Sequence, residues 1–135
     1  MSVVVDCSVA MAWVLQDEAS SYADAALNHI VSEGGIVPDL WWLETRNVLL
    51  MAERRDRLAR EDAEKADAAL RDLGLVQDTA MDRAQVLRLA RSHNLTSYDA
   101  TYLELSLRHE APIATLDKRL AEAARREQVF WSSPR

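Results

Sequence analysis

The apolar positions of the chain begin with a short uninterrupted run. Val3–Val5 are consecutive valines, and the polar residues Asp6 and Ser8 follow almost directly. An apolar run without polar alternation predicts a strand buried on both faces, as in parallel sheets covered by helices. The apolar segment 9–15 then predicts a buried helix. Ligands of open α/β sheets bind beyond the carboxyl ends of the strands, so Asp6 is a candidate functional residue. Asp6 or Ser8 is equally a candidate cap for the helix.

The rest of the chain alternates between helical periodicity and short apolar runs. The segments with helical character are 9–15, 20–30, 39–57, 61–73, 81–93, 98–109 and 117–126. Short runs at 36–38, 75–77 and 112–115 predict further strands, and 129–131 predicts a short edge strand. Strands that alternate with helices favour a parallel sheet with right-handed crossovers. We therefore predict an α/β fold in a single domain over residues 1–135, with a small parallel sheet of about four to five strands and about seven helices.

The composition restricts the classes to which the chain can belong. Of its 135 residues, 49% are hydrophobic, which excludes a largely disordered chain. The single cysteine, Cys7, cannot form an internal disulfide, and this fits a reducing compartment. No apolar run approaches the about 20 residues of a membrane helix, and the amino terminus lacks the pattern of a signal peptide. We expect a soluble, cytoplasmic protein with no membrane partner.

The charge balance limits how the protein can meet nucleic acid. Its net charge of −6 disfavours a protein that coats nucleic acid, because such binding depends on neutralising phosphates. The same charge is compatible with an enzyme that contacts nucleic acid through a bound metal ion. It also suits a protein that binds a basic segment of a partner.

Glu44 stands out because it lies on the apolar side of a predicted helix. It follows Leu40 by four residues and precedes Val48 by four, which places all three on one face. Burying an unpaired charge costs far more than burying a neutral polar group, so this position favours a functional role. Two alternatives remain open: Glu44 lies at the edge of the apolar stripe, or it pairs with Arg46 or Arg88.

Asp99 and Asp117 each have a structural explanation as well as a functional one. Residues 96–99 match a capping box, and on these residues alone capping of the following helix is the better explanation for Asp99. Asp117 follows the predicted strand 112–115 and is placed to cap the last helix. It also occupies the same strand-end position as Asp6. Two strands of one parallel sheet that each deliver an acid to the carboxyl edge point to one shared site.

A cluster of carboxylates predicts a hard metal ion rather than a protein nucleophile. Carboxylates that converge in a desolvated pocket repel each other, and Mg²⁺ or Mn²⁺ relieves that repulsion because both ions prefer oxygen ligands. One cysteine and three scattered histidines offer no zinc-ligand spacing, and three glycines form no phosphate-binding loop. Ser8 has no nearby base in the sequence that would make it a nucleophile.

Four motifs together resemble one known family. They are Val-Val-Asp-Cys-Ser-Val at 4–9, Trp-Leu-Glu-Thr-Arg-Asn-Val-Leu at 42–49, Ser-Tyr-Asp-Ala-Thr-Tyr-Leu-Glu-Leu at 97–105 and Ala-Thr-Leu-Asp-Lys-Arg-Leu at 114–120. In this order and spacing they resemble the PIN-domain ribonucleases, and most of all the VapC toxins of bacterial toxin–antitoxin pairs. The resemblance spans nearly the whole chain.

The resemblance implies a three-layer α/β/α fold and an Mg²⁺-dependent endoribonuclease, with Mn²⁺ as a possible substitute. By this resemblance Asp6 and Asp99 are the main metal ligands, and Glu44 and Asp117 act through metal-bound water or a second ion. Ser8 is expected to orient Asp6 or to contact a phosphate. The metal would activate a water molecule and stabilise the charge that develops on the phosphodiester.

The resemblance also implies partners and marks one departure from the family pattern. Some relatives carry another acid just after the last aspartate, whereas Lys118 and Arg119 stand there in this chain, which argues against a stable second metal. Relatives generally form homodimers and are neutralised by a small antitoxin. The tryptophans expected to receive such a segment are Trp13, Trp41 and Trp42, with ordinary core packing as the alternative.

Two other functions remain as alternatives. One is another Mg²⁺-dependent α/β phosphoryl-transfer domain with Asp6 as nucleophile or acceptor. A phosphatase of that kind would usually carry a second acid two residues later, where this chain has Ser8. The other is a catalytically inactive module that keeps the fold and only binds a partner. The presence of all four acids argues against loss of activity.

Overall fold

The computed structural model describes residues 1–134, and in this range it contains four strands and seven α-helices. The strands are β1 (Val3–Val5), β2 (Gly35–Pro38), β3 (Val76–Asp78) and β4 (Ile113–Ala114). The helices are α1 (Cys7–Val14), α2 (Ser21–Glu33), α3 (Asp39–Arg54), α4 (Arg60–Asp72), α5 (Arg83–His93), α6 (Ser97–His109) and α7 (Lys118–Arg126), and a short 3₁₀ helix, Gln16–Glu18, lies between α1 and α2. The predicted α/β class is confirmed.

The four strands form one parallel sheet in the order β3-β2-β1-β4. The chain builds the sheet outward from β1 to β2 and β3, and then returns across it to place β4 on the other side of β1. In the central register Val4 lies opposite Ile36, and Val5 lies opposite Ala114. Because every strand is parallel, all carboxyl ends meet at one edge of the sheet. The carboxyl ends of β1 and β4 are immediate neighbours there.

Helices cover both faces of the sheet. Val3 and Val5 pack into a cluster with residues of α1, α2, α3 and α4, whereas Val4 packs with residues of α5, α6 and α7. The helix that follows β1 therefore packs on one face of the sheet, and the helix that follows β4 packs on the other face. A crevice forms at such a reversal of strand connections, and this is where open α/β sheets bind ligands. The predicted burial of β1 on both faces is confirmed.

The predicted edge strand at 129–131 is wrong as a strand. Only Phe130 forms a bridge, to Ile113, and the Trp131 N–H donates to the Ile113 carbonyl at 2.8 Å. β4 is only two residues long, so it has too few residues to pair with the whole of segment 129–131. The predicted end of α3 at residue 57 is also too late: the helix ends at Arg54, and Asp56 then adopts a left-handed conformation with φ 57° that a helix cannot continue.

A buried ion pair that the sequence pattern did not predict joins α6 to the chain after β3. The Glu104 side chain is 2% exposed, and it accepts hydrogen bonds from the Arg108 Nε at 2.7 Å and from the Asp82 N–H at 3.1 Å. Arg108 also donates to both oxygens of Asp78, and this guanidinium is the main reason why the pKa of Asp78 lies well below its ordinary value. None of the helices in residues 1–134 is long and apolar enough to cross a membrane.

We expect Arg108→Ala to destabilise the protein by about 3 kcal/mol, because it leaves the buried Glu104 carboxylate without its cation. Urea unfolding monitored by circular dichroism measures this loss. Arg71→Ala is the control, since Arg71 pairs with Asp67 at 3.4 Å on the solvent-exposed side of α4. That change should cost no more than about 0.5 kcal/mol. Equal losses in the two variants would show that the Glu104 pair does not hold α6 to β3.

Candidate active site

Asp6 is held at the carboxyl end of β1 by hydrogen bonds from two hydroxyl side chains. Its Oδ1 accepts the Ser8 backbone N–H at 3.0 Å and the Ser8 hydroxyl at 2.5 Å, and its Oδ2 accepts the Thr115 hydroxyl at 2.8 Å. Asp6 is also the cap of α1, so the predicted capping role is confirmed. The residue is only 4% exposed. Burial raises the pKa of Asp6 to about 6, although the hydrogen bonds from Ser8 and Thr115 oppose the increase.

The same hydroxyls join the ends of β1 and β4. The Ser8 Oγ accepts the Leu116 N–H at 2.9 Å, and the Thr115 Oγ1 accepts the Asp117 N–H at 3.0 Å. Each hydroxyl therefore accepts a hydrogen bond from a backbone N–H and donates one to the Asp6 carboxylate. These hydrogen bonds fix the orientation of the Asp6 carboxylate. The bond from Ser8 is consistent with the predicted role of Ser8 in orienting Asp6.

Glu44 reaches the site from the first turns of α3. It is half-buried, and its Oε1 accepts the Tyr102 hydroxyl of α6 at 2.5 Å. Within residues 1–134 it forms no ion pair with Arg46 or Arg88, so that alternative explanation of the buried acid is wrong. Burial raises the pKa of Glu44, and the negative charge of Asp99 raises it further, whereas the Tyr102 hydrogen bond opposes both.

Asp99 lies in the first turn of α6, after the cap residue Thr96. Its backbone N–H donates to the Thr96 Oγ1 at 3.1 Å, but the reverse bond from the Thr96 N–H to the Asp99 carboxylate is not formed within residues 1–134. The capping box is therefore only half made. Burial raises the pKa of Asp99, and the charge of Asp117 adds to the increase. Thr96 and Arg119 act in the opposite direction.

Asp117 begins α7 and caps it. Its Oδ1 accepts the Leu120 N–H at 2.9 Å, which confirms the predicted capping role. Its half-buried side chain is close enough to Asp99 to raise the pKa of that carboxyl. Asp99 in turn raises the pKa of Asp6 and of Glu44. Four acids from four different elements therefore interact electrostatically around Asp99, at the crevice between β1 and β4.

The chemistry of this donor set fits a hard divalent cation, because it consists of carboxylate and hydroxyl oxygens. No group of three or more His, Cys, Asp or Glu side chains in residues 1–134 is already close enough to hold a metal ion. Mg²⁺ commonly binds through only one or two carboxylates and keeps several water ligands, so two of these acids would suffice to hold it. Cys7 adds no ligand, because burial and the charges of Glu44 and Asp6 raise the pKa of its thiol far above neutral pH.

The three tryptophans differ in their availability to a partner. Trp41 is fully buried, so the prediction that it receives a partner segment is wrong. Trp42 is half-buried and meets the Trp41 ring edge-on at 6.3 Å. Adjacent side chains on a helix point about 100° apart, and the core cluster beneath α3 is wide enough to contact both rings. Trp13 is half-buried, and its Nε1 donates to the Ala23 carbonyl at 2.7 Å.

Sequence reasoning missed two residues that position the acids, Thr115 and Tyr102. Thr115 stands two residues before Asp117 at the end of a strand, where a hydroxyl beside an acid was a usable local signal. Tyr102 gave no such signal, because its contact with Glu44 joins two helices separated by 58 positions in the chain.

The raised pKa of Asp6 predicts how stability depends on pH. A folded-state pKa of about 6, against an ordinary value near 3.8, means that the folded protein binds more protons than the unfolded chain between these pH values. Asp6 should therefore lower stability as the pH rises from about 4 to about 6, by about 3 kcal/mol in total. Asn in place of Asp6 keeps the shape and can still bond to Ser8 and Thr115, so Asp6→Asn should be more stable than the wild type at pH 8.

The measurement is the difference in unfolding free energy between wild type and Asp6→Asn from pH 4 to pH 8, in EDTA. Taking the difference removes the contributions of groups that do not interact with Asp6, whereas its interaction with Asp99 remains part of the difference. A difference that does not change with pH would mean that Asp6 is already ionised at low pH in the folded state.

Comparison with known proteins agrees with the fold. The family model described as PIN domain matches residues 3–126. No match is found among curated protein sequences. The crystal structure of PAE2754 from Pyrobaculum aerophilum is similar in fold, with a TM-score of 0.72 and 22% sequence identity over 91% of this chain and 79% of that one. Because the family model covers nearly the whole chain, this protein belongs to the PIN-domain family.

Proposed function

We propose that this protein is an endoribonuclease that depends on Mg²⁺, with Mn²⁺ as a substitute, and cleaves RNA phosphodiester bonds. PIN domains are generally metal-dependent nucleases. One observation carries the proposal for this chain. Its acids converge from β1, α3, α6 and the start of α7 on one crevice, and each of Asp6, Glu44 and Asp99 has a pKa raised by burial and by a neighbouring acid. Such mutual repulsion is the condition that a bound cation relieves.

In the proposed mechanism Asp6 and Asp99 would hold the metal ion, and Glu44 and Asp117 would act through water molecules around it. A bound divalent cation supplies an acidified water and positive charge beside the phosphate. The protein supplies orientation: Ser8 and Thr115 fix the Asp6 carboxylate, and these contacts are already formed. Burial of Asp6 excludes bulk water from the ligand, which strengthens its attraction for a cation.

The contacts of Asp6 argue against its use as a covalent phosphoryl acceptor. Both of its oxygens accept hydrogen bonds, and the side chain is nearly inaccessible to solvent. An attacking carboxylate needs an exposed oxygen aimed at the substrate. A metal-binding role is compatible with the same bonds, because Oδ2 accepts only the Thr115 hydroxyl and keeps a second lone pair. The phosphoryl-transfer alternative is therefore the weaker of the two enzyme hypotheses.

We also propose that the protein is the toxin of a toxin–antitoxin pair. A groove of about 870 Å³ between α1 and α4 supports a binding site for a partner segment. It is lined by apolar residues that include Trp13, Leu58, Leu70 and Leu73. A homodimer is supported by the large apolar side chains exposed beside the acids. They include Leu43, which is 60% exposed, and Tyr98, which is 63% exposed and directly precedes Asp99.

The ribonuclease proposal predicts that purified protein, freed of any partner, cuts total cellular RNA into discrete fragments in Mg²⁺ or Mn²⁺ and not in EDTA. Asp6→Asn should reduce the cleavage rate by at least about 100-fold, because it removes a direct metal ligand. Asp24→Asn on the exposed face of α2 is the matched control and should cleave like the wild type. Gel analysis of the fragments measures both rates.

Calorimetric titration with Mn²⁺ distinguishes the remaining alternative. Absence of cleavage together with absence of heat from metal binding would overturn the nuclease proposal and leave a binding module. Cleavage that persists in Asp6→Asn would mean that the acid cluster is not the active site.

The toxin proposal predicts that expression of the wild-type chain from an inducible promoter arrests growth of a bacterial host. Asp6→Asn at the same protein level should allow normal growth, because arrest depends on RNA cleavage. Optical density and immunoblotting follow growth and protein level together. Equal growth of the two cultures would contradict the toxin role while leaving the cleavage assay as an independent test of the enzyme.

A further inference from the structure

A second cleft lies directly beside the acid cluster, between α7 and the C-terminal segment. It has a volume of about 460 Å³, and its lining includes Tyr22, Thr115, Leu116, Lys118, Arg125 and Phe130. Thr115 and Leu116 form the end of the cleft nearest the acids, since Thr115 donates to Asp6 and the Leu116 N–H donates to Ser8. A chain molecule whose phosphodiester lies at the acids can therefore continue into this cleft.

The cleft carries unpaired positive charge in a protein that is acidic overall. Lys118 and Arg125 are exposed, and neither forms an ion pair within residues 1–134. The acid that lines the cleft, Glu122, is paired with Arg126 at 3.6 Å. The charge left without a protein partner in the cleft is therefore positive, against a net charge of −6 for the whole chain. An anion is the ligand that this arrangement attracts.

The same cleft offers flat surfaces for stacking. The Tyr22 and Phe130 rings stack with centroids 5.8 Å apart and an angle of 13° between planes, and the Arg125 guanidinium lies over the Phe130 ring at 4.2 Å. Unpaired RNA bases are recognised by stacking on aromatic rings and on arginine guanidinium planes. Positive charge and stacking surfaces together fit a nucleotide better than they fit a simple anion.

Structural roles account for only part of this cluster. The Tyr22 hydroxyl donates to the Trp131 carbonyl at 2.7 Å, and Phe130 bridges to Ile113, so both rings help to anchor the C-terminal segment. That role does not involve Lys118, and it does not require a cation as exposed as Arg125. These two side chains are left for a ligand.

We propose that this cleft binds one nucleotide of single-stranded RNA next to the bond that is cut. Arg125, backed by Phe130, stacks against the base, and Lys118 contacts the phosphate. The proposal rests on the ribonuclease function, because it states where the substrate lies relative to the acid cluster. It needs no step beyond binding, since the cleft contacts the substrate and the acids act on it.

The test is the affinity of a fluorescein-labelled single-stranded oligouridylate for the protein in EDTA, where metal-dependent cleavage does not occur. Arg125→Ala and Phe130→Leu should each weaken binding by about tenfold through lost stacking. Lys118→Ala should weaken binding and lower the slope of log affinity against log salt by about 0.7, the value for one phosphate contact on a single strand. Phe130→Leu should leave that slope unchanged, because it removes no charge.

Arg91→Ala is the matched control, since Arg91 is an exposed cation on α5 that lies outside the cleft and forms no ion pair within residues 1–134. Binding should be nearly unchanged in this variant, and thermal melting confirms that each variant is folded. If Arg91→Ala and Arg125→Ala weaken RNA binding equally, the proposed nucleotide site is overturned, and general electrostatic attraction explains the binding. A folded Phe130→Leu with wild-type affinity would overturn the stacking.

The outcome is separable from that of the ribonuclease proposal. Cleavage with an unchanged KM in Arg125→Ala and Lys118→Ala would overturn the proposed nucleotide site and leave the ribonuclease proposal standing. RNA binding that depends on the cleft residues, without cleavage in any metal, would instead support the nucleotide site and overturn the ribonuclease proposal.

Discussion

The buried carboxylate of Asp6 is the constraint on which the rest of the site depends. Asp6 directly follows β1, caps α1 and accepts a hydrogen bond from the Thr115 hydroxyl at the end of β4. A carboxylate in this position is stable only because hydroxyl and backbone donors surround it, and even so burial moves its pKa to about 6. The sheet order brings β4 beside β1 and so supplies the Thr115 hydroxyl, whereas the Ser8 donors come from α1. The strand order therefore determines which side chain of β4's end lies beside Asp6.

Capping does not exclude a functional role at Asp6 and Asp117. The residue that ends a strand and precedes a helix is both a natural cap and the residue closest to the ligand crevice of a parallel sheet. Asp6 and Asp117 occupy this position on neighbouring strands, and each caps its helix. Asp99 differs, because Thr96 caps α6 and the Asp99 carboxylate does not complete the capping box. Its charge is therefore available to interact with the other acids.

Much of the fold and of the acid cluster could be predicted because the signals are local. Three valines before an acid identify β1, and Glu44 violates the apolar face of its own helix. The residues that hold the acids were harder to predict. Tyr102 and Glu44 are separated by 58 positions, and Glu104 is buried only because Arg108 and the Asp82 N–H reach it. Trp41 was misjudged for the same reason: the width of the core beneath α3 depends on α1 and α4, which the sequence of α3 does not contain.

The hydrogen bond between Asp6 and Thr115 joins residues 109 positions apart, and this has a consequence for synthesis of the chain. Translation proceeds from the amino terminus, so β1, α1 and the position of Glu44 exist long before β4 leaves the ribosome. Until then Asp6 lacks the Thr115 hydroxyl, and the crevice has only one of its two walls. A nascent chain therefore carries the first acids in an unassembled form. Closure of the site must await synthesis of residue 115, so an amino-terminal fragment that stops before β4 cannot form this centre.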